Sequence, residues 1–95
     1  MNKPNDNVMK IKSGFILREV ADNFIVVAVG DRVKEFNGLI NLNSTGAFLW
    51  KVLEKGATED DLVNALLAEY EIDEQTARRD VGIFVAKVKE TNLVK

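Results

Sequence analysis

The apolar pattern of this chain changes period once, near Asn43–Ser44, and that single change dictates a block of strands followed by a block of helices. Gly14 to Val20 mixes β-branched and aromatic residues with two charges, as a half-exposed strand does. Ala21-Asp22-Asn23 reads as a hairpin tip, because Asp and Asn hydrogen-bond their own backbone and tolerate turn geometry. Phe24 to Val29 is apolar throughout, the pattern of a central strand buried on both faces. Gly30-Asp31-Arg32 ends that run, and a charged stretch to Glu35 leads into a third strand, Phe36 to Leu42. There Ile40 and Leu42 alternate with Asn41, so one face is wet.

From Asn43 onward the spacing is helical. Asn43 or Ser44 caps a first helix whose apolar residues, Phe48, Leu49, Trp50, Val52 and Leu53, cover well over half the circumference, so it packs on more than one side. Gly56 stops it. Thr58-Glu59-Asp60-Asp61 has the form of a capping box, with Asp at the place of the usual Glu or Gln. Leu62, Val63, Leu66, Leu67 and Tyr70 line one face of the second helix. Asp73 caps a third, with Glu74 in its first turn where negative charge suits the helix dipole. Its stripe is Ala77, Val81, Phe84, Val85 and Val88, and Asn92 stops it. Ile83 falls outside that stripe, on the outer side with Arg79 and Lys87. Three strands within residues 14–43 and three helices within 43–92 make an α+β domain. Residues 1–10 are expected to be a flexible tail, residues 11–95 the domain. Met1 and Met9 are both possible starts.

Composition removes several function classes. At 95 residues the chain holds one domain. Thirteen basic and 15 acidic side chains leave a net charge of −2, unfavourable for a protein that must neutralise phosphates. Histidine and cysteine are both absent, which removes the usual zinc ligands and the usual proton shuttle. No metal, no cofactor and no catalysis are therefore expected. No apolar run approaches the length of a membrane span, and the N-terminus lacks a signal-peptide core, so a cytoplasmic protein without membrane attachment is expected.

One stretch carries a resemblance. Leu42-Asn43-Ser44-Thr45-Gly46-Ala47-Phe48-Leu49-Trp50, preceded by Gly38-Leu39-Ile40, is similar to the strand-to-helix junction of the PqqD-like family. The family takes its name from protein D of pyrroloquinoline quinone biosynthesis. The resemblance continues through Gly56-Ala57-Thr58 and into Arg79-Asp80-Val81-Gly82-Ile83-Phe84-Val85, in order from about Lys10 to Val94. It implies a winged-helix-like fold, with a three-stranded antiparallel sheet followed by three helices. It also implies a recognition element that binds the leader of a ribosomally made precursor peptide for a separate modifying enzyme, often a radical S-adenosylmethionine enzyme. In the family the leader adds as a strand to the third strand and lies against the third helix.

Carried onto this sequence, the receiving edge is Phe36, Asn37, Gly38, Leu39, Ile40, Asn41 and Leu42, with Gly38 allowing close backbone approach. Ile83 and the rim of Phe84 supply an apolar slot. Arg79 and Lys87 would meet acidic leader residues, and Asp80 would select against them or pair locally. The founding members are less aromatic at the positions of Phe48 and Trp50, which leaves the pathway open, PQQ included. An exposed edge also permits a homodimer.

Two rival readings remain at this point. A winged-helix DNA-binding regulator would place Arg78 and Arg79 on its recognition helix, but that helix also carries Glu74, Asp80 and Glu90. An enzyme would have to use Glu59, Asp60 and Asp61, or Ser44 and Thr45. The first group suits a helix start and the second a cap, and no histidine stands by.

Overall fold

The structure is a computed structural model, and it describes residues 8–34 and 39–94. Three strands, β1 (Phe15–Val20), β2 (Asn23–Ala28) and β3 (Leu39–Leu42), form an antiparallel sheet in the order β1-β2-β3. A 3-10 turn, Gly30–Lys34, follows β2 in the charged stretch. Three helices complete the chain: α1 (Ser44–Glu54), α2 (Glu59–Glu69) and α3 (Glu74–Glu90). The α+β order expected from the change of period is the order observed.

The hairpin between β1 and β2 turns at Ala21-Asp22, with Val20 paired to Asn23. Ala21, rather than Asp or Asn, takes the left-handed conformation (φ 56°). For a residue with a Cβ that geometry costs about 1–2 kcal/mol, which the surrounding ladder must hold in place.

Register places Leu17, Val26 and Ile40 in one row across the sheet and Ile16, Val27 and Leu39 in the next. Val26 and Ile40 are buried and Leu17 packs against the core, whereas Ile16 and Leu39 are exposed. The helices thus cover one face only. This corrects the expectation for β2: it is central, but Val26 is its one fully buried residue, and Phe24, Ile25, Val27 and Ala28 are half-buried. Its unbroken apolar run does not betray which face is covered, because period-2 alternation is missing.

Each helix starts where its cap was expected. The Asn43 side chain accepts from the Gly46 N–H at 2.7 Å, and Gly56 (φ 93°) lies just beyond the end of α1. Thr58 and Asp61 complete a reciprocal capping box, their two hydrogen bonds both 3.0 Å. Asp73 accepts from the Thr76 N–H at 2.8 Å. Trp50 is fully buried, yet its indole N–H reaches Glu54 at 3.0 Å, so no polar group is stranded. Phe48 and Tyr70 stack edge to face, with centroids 5.7 Å apart, and tie α1 to the end of α2.

The described N-terminal segment is held by backbone pairing. Met9 is buried and exchanges two backbone hydrogen bonds with Ala57, at 2.8 and 2.9 Å. Ile11 bridges to Val94, and the Lys12 N–H donates to the Leu93 carbonyl at 2.9 Å. Asn92 ends α3 as expected, with φ 62°, and turns Leu93 into the core. Residues 9–12 are therefore tied to Ala57 and to Leu93 and Val94, a non-local arrangement with no periodicity to announce it. Residues 1–7, the remainder of the expected tail, lie outside the described residues. No described helix is long and apolar enough to cross a membrane.

Candidate functional site

Because β3 ends the sheet, one side of its backbone has no partner strand among the described residues. The Asn41 carbonyl identifies the outward groups: it accepts from Lys87 Nζ on α3 at 3.2 Å, so it points away from β2. In an antiparallel ladder a residue's N–H and C=O project to the same side, so the Asn41 N–H also faces outward. Leu39 shares that parity, while Ile40 and Leu42 turn their backbone groups toward β2.

Beside this edge runs a groove of about 270 Å³, open between the end of β3, the first turns of α1 and the outer side of α3. Asn41, Leu42 and Asn43 line it from the end of β3, Thr45, Gly46 and Leu49 from α1, and Asp80, Ile83, Phe84 and Lys87 from α3. Leu49 and Phe84 are buried and make an apolar floor, whereas Ile83 stands 65% exposed on the rim. Gly46 permits the tight junction. A Cβ there would lie 3.3 Å from the Asn43 side chain and 3.4 Å from Leu42, so a larger residue requires those side chains to give by a few tenths of an ångström.

Of the residues singled out from sequence, the structure brings together Asn41, Leu42, Asp80, Ile83, Phe84 and Lys87. Ile40 is different. Its side chain is in the core, and its backbone pairs with Val26, so it contributes nothing outward. Leu39 is exposed on the uncovered face of the sheet. Arg79 is outside the groove, its Nε 3.9 Å from Asp80. Phe84 belongs to the buried stripe of α3 and lines the groove as part of its floor. Phe36, Asn37 and Gly38 lie outside the described residues.

In the sequence, Asn43 reads as a cap and Leu49 as an apolar packing residue, and neither Thr45 nor Gly46 signals a part in binding. Asn43 and Leu49 hold their expected roles and also line the groove. The signal was present, since these residues fall within the stretch that carries the resemblance.

Charge is distributed unevenly around α3. Arg78 is held by Glu74 at 2.7 Å and by Asp60 at 3.1 Å, and these partners, Glu74 first, raise its pKa. Those contacts occupy the start of the helix, outside the groove lining. Asp73 has its carboxyl held below the usual range by hydrogen bonds from Thr76, from the side chain and then from the backbone N–H. Asp80 and Lys87 are the two charged groups of the groove lining.

Two solved structures share this architecture. The structure of TbiB1 in complex with the TbiA(beta) leader peptide is similar with a TM-score of 0.70 and 23% identity, covering 90% of this chain and 94% of that one. Lasso peptide synthetase B1 complexed with the leader peptide is similar with a TM-score of 0.69 and 20% identity, covering 92% and 96%. No curated protein sequence matches the chain significantly. The profile of the family described as Coenzyme PQQ synthesis protein D (PqqD) matches residues 16–94, nearly the whole of the domain. The chain belongs to the PqqD family.

Proposed function

We propose that this protein is a non-catalytic, cytoplasmic recognition element that binds the leader of a ribosomally synthesised precursor peptide and presents it to a separate modifying enzyme, such as a radical S-adenosylmethionine protein. The observation that carries this reading is the conjunction of an outward-facing Asn41 with the groove between β3 and α3, in a PqqD family member. An extended peptide laid along β3 pairs with its outward backbone groups, which gives affinity with little demand on its sequence. Its alternate side chains then drop toward Ile83 and Phe84, which supplies selectivity. The fold is shared with two proteins solved with leader peptides bound, which supports the same reading.

Nothing favours DNA binding. Arg78 is already neutralised by Glu74 and Asp60, and Arg79 stands beside Asp80. Catalysis has no better support, since a carboxylate and an ammonium separated by an apolar floor bind and orient rather than react.

The test removes an outward donor. Asn41→Pro deletes an N–H that β2 does not use, so the sheet keeps its ladder while an added strand loses a bond and meets the pyrrolidine ring. A lost hydrogen bond is worth about 0.5–1.5 kcal/mol, and the clash adds to it, so affinity should fall about tenfold or more. Titration of a labelled precursor leader peptide measures it, with circular dichroism to confirm folding. Wild-type affinity in a folded Asn41→Pro protein would overturn the edge assignment.

A further inference from the structure

The groove is charged at both ends and apolar between. Asp80 and Lys87 both line it from α3, about two turns or ~10.5 Å apart along the helix, with Ile83 and Phe84 between them. Among the described residues neither charge is firmly satisfied. Asp80 has only the 3.9 Å approach of Arg79, whose side chain is 71% exposed, and Lys87 donates to the neutral carbonyl of Asn41.

That last bond matters twice. It spends an ammonium on a carbonyl where a carboxylate would bind it more strongly. It also covers the outward acceptor of β3, which an added strand must use. A lysine lying over a free edge is one way a protein keeps that edge from pairing indiscriminately.

We propose that Lys87 is a removable cap on the peptide-binding edge, and that the groove selects an extended peptide bearing an acidic side chain for Lys87, a bulky apolar one for Ile83 and Phe84, and a basic one for Asp80. This rests on the peptide-binding reading above and specifies the chemistry of the peptide. The acidic residue does two jobs: it draws the ammonium off Asn41 and pairs with it, so the edge acceptor is released as the peptide arrives. At the other end Asp80 repels acids and favours Lys or Arg. Same-face residues of a strand are about 6.6 Å apart, so the three side chains fall on alternate positions, and the outer pair spans about 13 Å, a span the flexible Lys87 stem accommodates.

A phage-displayed library of random twelve-residue peptides, panned against the intact protein, tests this without a known leader. The wild type should enrich sequences with an acidic and a basic residue four positions apart and an apolar residue midway. Lys87→Glu should lose the preference for the acid and gain one for a second base. The double exchange Asp80→Lys with Lys87→Glu should restore a pair in the reverse order. In a synthesised winner, Gln for the acidic residue should weaken wild-type binding by about two- to fivefold and leave Lys87→Met unaffected. Winners without charge preference, or the same preference in every variant, would overturn the proposal while leaving peptide binding intact. No enrichment by the wild type would overturn the peptide-binding reading, and this proposal with it. Both exchanged side chains are at the surface, and circular dichroism verifies that each variant is folded.

Discussion

The two faces of α3 obey opposite rules although they belong to one helix. The inner face carries Ala77, Val81, Phe84, Val85 and Val88, all buried, at the spacing that a helix packed on one side requires. The outer face carries Asp80, Ile83 and Lys87, and Ile83 is more exposed than any other large apolar residue described. A single exposed isoleucine is ordinary on a protein surface. One that stands between two weakly satisfied charges, over an apolar floor and beside a free strand edge, has a place in a site. The inner face explains why the helix is where it is, and the outer face what its position makes available.

The contrast is most directly broken by placing a charge on each face in turn. Val81→Asp puts an unpaired carboxylate where exposure is 0%, at a cost on the order of 3–5 kcal/mol, enough to abolish or sharply lower the thermal unfolding transition followed by circular dichroism. Ile83→Asp, two positions along, should change stability by no more than about 0.5 kcal/mol, since the site is exposed. It should nevertheless weaken binding of the precursor leader about tenfold, measured by fluorescence titration. If Ile83→Asp unfolds the protein, or folds and binds normally, the division between the two faces fails.

The smallest effect concerns the start of the same helix, which serves both faces equally. The Asp73 carboxyl has its pKa lowered in the fold, so its contribution to stability is fully present above the ordinary value of 3.8 and is lost as pH falls through the depressed folded value. Asp73→Asn keeps a good cap but cannot titrate. At neutral pH it should be close to wild type in stability and in leader binding. Acid unfolding monitored by circular dichroism should then begin from a slightly shallower slope than in the wild type. An unchanged acid limb would mean that the Thr76 hydrogen bonds contribute nothing.

The legible part of this protein is the part decided locally. The change of period at Asn43, the caps at Asn43, Thr58 and Asp73, the stops at Gly56 and Asn92, and the stripe of α3 all depend on residues within one or two turns of each other, so the linear sequence contains the whole cause. The exposure of Ile83 follows from the same helical geometry. What the tertiary structure alone decided involves partners distant in the chain. Met9 and Ile11 enter the core because Ala57 and Val94 offer them backbone partners, and no pattern within residues 8–12 encodes that. β2 buries only Val26 fully because that side chain alone enters the core built with residues of the distant helices. Lys87 meets Asn41 across 46 positions of chain, and Leu49 and Phe84, distant in sequence, line one groove. Local hydrogen bonding and periodicity set what each segment is; burial of surface between distant segments sets which residues share a groove.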